Sequence, residues 1–262
     1  MKIGYPDKWK DYSSLDIKDD SYWQNMVRAS EFEYEEMIAE LGKPVDKTKW
    51  YMSPQTVNAY YNPSSNEICF PAGILQPPFF YMNGDDAINY GGIGVVIGHE
   101  MSHGFDDQGR KFDKAGNLAD WWTAGDAQRF EERASVLVDH FDHIVVLDTV
   151  HANGTFTLGE NIADQGGLQV SYQAFQKTTQ AQSGEPLGGF TPTQRFFLSY
   201  ATLWAGNVRD AEILRLTKID PHSLGKWRVN GALPHIDAWY EAFHIQPSDP
   251  MYLPKESRAS IW

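Results

Sequence analysis

The chain has 262 residues, 42% hydrophobic, 14% aromatic and 22% charged, enough to bury a large core and unlike a disordered tail or a peptide hormone. A net charge of −13, from 22 Lys and Arg against 35 Asp and Glu, leaves no basic footprint for nucleic acid and argues against anionic membrane surfaces. No apolar run approaches the roughly 18 residues of a membrane span, and the opening MKIGYPDKWKDYSS lacks the apolar stretch of a signal peptide.

Residues 21–41 carry Trp23, Met26, Val27, Phe32, Met37 and Ile38 at helical spacing, with Ser21 as N-cap and Gly42 as stop. Val57 to Tyr61 and Glu67 to Phe70 read as two strands about an Asn-Pro-Ser-Ser-Asn turn. The single cysteine, Cys69, cannot form an internal disulfide and reads as a small buried hydrophobe. Residues 87–104 are apolar on nearly all sides, the pattern of a buried helix, and Thr123 to Phe141 is amphipathic. Further helical patterns run over about 158–181, 192–206, 208–217 and 234–243, with prolines near their starts or breaks. Helix outweighs strand, and the strands concentrate before residue 81. The expectation is one α+β domain over 1–262, mainly helical, with a small sheet; the linker-like stretches are too short to divide it.

The chemically informative segment is His99-Glu100-Met101-Ser102-His103. Residues i and i+4 share a helix face, so both imidazoles can reach one metal ion, and Glu100 is placed to act as general base toward water at that metal. Two solvated surface histidines would be the plain alternative, but Val95, Val96 and Ile97 before them and Gly104-Phe105 after them place the pair on a core helix. A catalytic zinc needs a third protein ligand. The longer HExxHxxGxxH pattern is absent, since position 106 is Asp and position 109 is Gly. Glu160-Asn161-Ile162-Ala163-Asp164 repeats the i, i+4 geometry with carboxylates: Glu160 is the candidate ligand, and Asp164 the acceptor for the free N–H of a ligating histidine. Taken alone, such a pair at a helix start is ordinarily dipole-favoured surface charge. Asp106 or Asp107 could orient His103 in the same way.

The segments NAYY (58–61), FPAGILQPPFF (70–80), GHEMSHGFDDQGR (98–110), DWW (120–122), GENIADQGG (159–167) and DPHS…RVNG (220–231) together resemble the neprilysin/endothelin-converting-enzyme family of zinc endopeptidases, in that family's order and over its C-terminal catalytic half. The resemblance implies a thermolysin-like, gluzincin fold whose edge strand binds substrate, and one zinc ion per chain. His99, His103 and Glu160 match the zinc ligands, Glu100 the catalytic base, Asp164 the carboxylate orienting the first histidine and Asp106 the one near the second. His222 matches a histidine that donates to the oxyanion, and Arg228 an arginine that binds a substrate carbonyl. Asn58 and Ala59 match the substrate-pairing strand; Ile74, Phe79, Val95, Val96 and Trp204 match an apolar pocket for the residue after the scissile bond. Read without the family, His222 is an ordinary residue near a helix start and Arg228 a surface charge.

Peptide hydrolysis on the amino side of bulky apolar residues is the implied activity, with peptides as partners, a monomeric chain, and an extracytoplasmic location favoured over a cytoplasmic one. Animal members carry a cysteine where Trp227 stands here, which suits a bacterial-type member. The family's N-terminal half is a helical domain that roofs the site, and its counterpart here is expected on a separate segment or chain. The alternative is a zinc-binding but poorly active catalytic fragment that needs that lid. A compact aminopeptidase would need a site for a free amine and a GxMEN-like segment, which is absent; a purely structural zinc would need a fourth protein ligand.

Overall fold

Helix α1 spans Tyr22–Ala39 in the computed structural model, which describes residues 1–261; it starts where the Ser21 side chain accepts a hydrogen bond from the Gln24 N–H. None of its residues is buried, so its apolar stripe faces outward. Before it, β1 (Lys2–Gly4) pairs in parallel with β3 (Glu67–Pro71), a strand the sequence pattern does not announce. The strand expected from Val57 begins only at Tyr60: β2 (Tyr60–Asn62) runs antiparallel to β3, with Tyr60 opposite Cys69. In the turn between them, the Asn62 side chain accepts from the Ser64 N–H at 2.9 Å. The sheet order β1–β3–β2 leaves β2 with one free edge. Cys69 is fully buried, and burial raises its thiol pKa.

The helix expected over 87–104 is broken into α2 (Asp86–Asn89), a π-helical turn (Tyr90–Gly94) and α3 (Val95–Ser102). The break sits at Gly92, with φ −93° and ψ −107°. There the chain passes so close to Phe79 that a Cβ on Gly92 would lie 2.4 Å from the Phe79 carbonyl oxygen, while the Ile93 N–H donates to that oxygen at 2.7 Å. The kink thus docks the Phe79 loop at the entry to α3.

Helix α4 (Ala124–Asp142), capped by Thr123, is followed by an unexpected hairpin of β4 (Val145–Leu147) and β5 (Val150–His151), so strands are not confined to the first 81 residues. The pattern over 158–181 resolves into α5 (Leu158–Phe175) and a short α6 (Thr179–Ser183). Then come α7 (Pro192–Leu203), opened by a Thr191–Gln194 capping box, α8 (Asp210–Ile219), α9 (Gly225–Asn230) and α10 (Asp237–Phe243). The described residues are mainly helical, with two small sheets.

Among the described residues, two of the three core clusters meet on α5. Leu168 and Phe175 join Phe196, Phe197 and Tyr200 of α7 and Trp239 of α10; Ile162, on another side of α5, joins Phe130, Leu137 and Phe141 of α4. A third cluster of Ala59, Phe70, Ile74 and Ile93 ties the sheet to the kink. Held on both sides, α5 packs along α3, and their meeting line carries the candidate site.

Candidate metal centre

His99 lies inside α3, 7% exposed, and His103 caps its C-terminus with helical dihedrals, so the i, i+4 relation is preserved. Each imidazole is oriented from behind. His99 Nδ1 lies 2.9 Å from Asp164 Oδ1 of α5, and His103 Nδ1 lies 2.7 Å from Asp106 Oδ2. Since an ionised carboxylate only accepts, each Nδ1 is the protonated nitrogen and donates, which leaves both Nε2 atoms as lone-pair donors. Asp106 is itself fixed: its other oxygen accepts the N–H groups of Gln108 at 2.9 Å and Gly109 at 2.7 Å. Asp107 takes no part in orienting His103; its carboxylate meets the Gln108 amide.

The two Nε2 atoms face each other at 3.1 Å. Glu160, in the first turn of α5, sets Oε2 3.2 Å from His99 Nε2 and Oε1 3.7 Å from His103 Nε2. Oε2 is buried and takes no hydrogen bond in the structure. Two lone pairs and a carboxylate converging at this range repel one another unless positive charge sits among them. A tetrahedral ion with bonds of 2.0–2.1 Å sets its ligand atoms about 3.3 Å apart, close to the spacings found. These three side chains form a group able to hold a metal ion, and the donor set fits zinc. Burial would lower the His99 pKa, yet the carboxylates of Asp164 and Glu160 beside it push it up to about 9. Burial opposes ionisation of Glu160 too, but His99, His103 and His222 bring its carboxyl down to about 2.

Arg228 corrects the surface-charge reading made without the family: it is 7% exposed. Its guanidinium grips Asp164 with a fork, Nε to Oδ2 at 2.8 Å and Nη2 to Oδ1 at 2.7 Å, and stacks on the Trp204 ring at 3.9 Å. Burial disfavours a charged Asp164, but Arg228 and His99 hold its carboxyl well below the usual range. His222 sits in the loop before α9 with Nε2 3.3 Å from Glu160 Oε2, and its Nδ1–H donates to Asp220 at 2.7 Å. Asp220 went unremarked in the sequence, although a carboxylate two residues ahead of a histidine was a readable signal.

His99, His103, Asp106, Glu160, Asp164, His222 and Arg228 line one cleft of about 410 Å³. Glu100 lines it, 5% exposed, and burial raises its carboxyl pKa. Ile74, Phe79, Val95, Val96 and Trp204 form part of its wall, as do Asn58 and Ala59 just ahead of β2. Here the Asn58 side chain is turned onto its own neighbour, Oδ1 accepting from the Ala59 N–H at 2.9 Å. Tyr61, Leu203 and Met52 also line the cleft and were not singled out from the sequence.

The profile described as peptidase family M13 matches residues 58–259. An endothelin-converting enzyme homolog of Locusta migratoria is 43% identical, aligned over 92% of this chain and 34% of its own length; human neprilysin is 39% identical over 100% and 36%. A solved structure of the Mycobacterium tuberculosis zinc metalloprotease Zmp1 in complex with an inhibitor superposes with a TM-score of 0.94 at 45% identity, over 100% of this chain and 41% of that one. The chain therefore spans about a third of the length of the curated relatives it matches.

Proposed function

Since the chain belongs to peptidase family M13, we propose that it is the catalytic domain of a zinc-dependent endopeptidase with a thermolysin-like, gluzincin architecture. The observation that carries the reading is the convergence of His99 Nε2, His103 Nε2 and Glu160 Oε2, each braced from behind, beside the buried carboxylate of Glu100. Three protein ligands leave the open position a catalytic site requires. When bound, zinc supplies Lewis acidity to a scissile carbonyl and makes water acidic enough to serve as a nucleophile near neutral pH.

The residues of this chain do the rest. Glu100, held in a low-dielectric wall that raises its proton affinity, takes the proton from the attacking water and passes it to the leaving amine. His222, its Nδ1–H anchored on Asp220, turns Nε2 toward the triad, where a proton on it would stabilise the oxyanion; one such donor contributes on the order of 3–4 kcal/mol. Asp164 fixes the tautomer and aim of His99, and Asp106 those of His103. An extended peptide lies against Asn58 and Ala59; to pair with the Ala59 N–H it displaces the Asn58 oxygen, freeing that amide to bind the peptide as well. Arg228, already committed to Asp164, reaches a substrate carbonyl with its remaining N–H groups. The apolar wall of Ile74, Phe79, Val95, Val96 and Trp204 accepts a bulky hydrophobic side chain, so cleavage falls on its amino side.

The greater length of the relatives leaves room for a further domain or chain that closes over the cleft, restricting substrates to peptides. The reading keeps an extracytoplasmic location; among the described residues no helix is long and apolar enough to cross a membrane. Substituting Glu100→Gln tests the assignment of the base. One zinc per chain should remain bound, while kcat on a quenched apolar peptide falls by at least ~100-fold. A fully active variant removes Glu100 from the mechanism.

A further inference from the structure

Where α3 and α5 touch, they touch through backbone. A Cβ added at Gly167 of α5 would stand 2.6 Å from the Val95 carbonyl oxygen, 2.8 Å from the His99 amide nitrogen and 3.2 Å from the His99 Cα. A Cβ on Gly98 of α3 would stand 2.9 Å from the Gly167 Cα. All of these neighbours are main-chain atoms within helices, which cannot swing aside as the end of a long side chain can. The close contact of the two helices therefore runs along the main chain of Val95, Gly98 and His99. Gly167 follows Asp164 by three residues and Glu160 by seven, so all three residues lie within about two helical turns of α5.

We propose that Gly98 and Gly167 are positioning residues: they set the α3–α5 separation at which Asp164 and Glu160 can both reach His99. The proposal rests on the metal-centre reading and adds to it the device that holds the two ligand-bearing helices in register. Asp164 Oδ1 lies 2.9 Å from His99 Nδ1, and Glu160 Oε2 lies 3.2 Å from His99 Nε2; both spacings run across the helix pair. Metal–ligand distances tolerate only about ±0.2 Å. A methyl group at either glycine demands a larger adjustment than that, because contacts of 2.6–2.9 Å lie well inside ordinary carbon–oxygen and carbon–carbon separations. A shift the fold can survive is therefore enough to spoil the ligand set.

The test compares Gly167→Ala and Gly98→Ala with Gly73→Ala in the intact protein. A Cβ on Gly73 would meet the Gln55 and Thr56 carbonyl oxygens at 2.6 Å, an equally tight backbone contact that belongs to neither α3 nor α5. Three quantities are measured: the Zn2+ dissociation constant by chelator competition, the visible spectrum of the Co2+-loaded protein, and thermal unfolding with the metal chelated. Gly167→Ala is expected to weaken zinc binding by ~10-fold or more and to change the Co2+ spectrum, the size of effect found when groups orienting metal ligands are lost. Gly98→Ala should do the same more mildly, and Gly73→Ala should lose stability while keeping wild-type zinc affinity and spectrum. The proposal is overturned if both α3–α5 variants bind zinc as the wild type does, with an unchanged spectrum, and merely lose stability like Gly73→Ala. Should Gly167→Ala not fold, Gly98→Ala decides alone. A wild-type protein that binds no zinc overturns the metal reading itself, an outcome separable from any difference among the glycine variants.

Discussion

Helices α1 and α5 are each 18 residues long, and both show apolar residues at helical spacing, yet they end in opposite surroundings. No residue of α1 is buried, and Trp23 is 70% exposed; ten residues of α5 are buried, Asn161, Asp164 and Gln165 among them. Apart from Glu160 Oε2 at the metal centre, these buried polar groups of α5 are engaged: Asn161 accepts from Ser223 and donates to Thr157, Asp164 is held by His99 and Arg228, and Gln165 donates to the Ala259 carbonyl. Apolar periodicity thus reports that a segment is helical. What marks a helix as interior here is polar side chains that can all be satisfied, together with glycines that let another backbone approach.

The sharpest way to break this contrast is to remove one partner from the polar interior of α5. Arg228→Ala leaves the Asp164 carboxylate buried beside His99 without its cation, and unfolding by urea should show a loss of about 3–5 kcal/mol. A loss below about 1 kcal/mol would mean that Asp164 finds water or another donor, and that the interior is less demanding than described.

A second, smaller effect comes from pH. His235 is 3% exposed and uses Nδ1 to accept the Ala259 N–H, in the same C-terminal segment that Gln165 binds. Burial, with the neighbouring His140 and Arg258, lowers its pKa to about 3. The unfolded chain, with a histidine pKa near 6.5, binds the proton that the folded chain refuses, so stability falls as pH drops below about 6.5. Between pH 7 and 5 the loss from this group should be about 2 kcal/mol, measured with metal chelated, and His235→Gln should remove most of that slope. An identical slope in the variant would assign the pH dependence to other groups. The smallest effect belongs to α1: Trp23→Ala should change stability by no more than about 0.5 kcal/mol, since the ring buries little against the rest of the structure. A loss of 2 kcal/mol there would show that α1 is packed after all.

How much of this was legible depends on where each residue's partner lies. His99, Glu100 and His103 could be read because their geometry is local to one helix turn, and Glu160 and Asp164 because they repeat the same spacing. Arg228 could not be read from the residues alone, since its burial depends on Asp164, 64 residues away, and on the Trp204 ring. Strand β1 was invisible for a similar reason: three residues pair in parallel with a strand more than sixty positions later. The kink at Gly92 was hidden because an apolar run reads as one continuous helix, whereas the break is imposed by the Phe79 carbonyl passing against it. The hairpin at 145–151 is too short to produce an alternating pattern of its own. The small sheet beside a buried helix was foreseen in kind, but its edge strand starts two residues after Asn58 rather than including it.

The central claim is that two imidazoles of α3 and one carboxylate of α5 hold a single metal ion. X-ray absorption at the zinc edge, on purified protein loaded with one equivalent, tests it most directly. The account predicts two nitrogen donors and a carboxylate oxygen in the coordination sphere, with the oxygen contribution reduced and affinity sharply weakened in Glu160→Ala. A protein that takes up no stoichiometric zinc, or whose zinc environment is unchanged by Glu160→Ala, contradicts it.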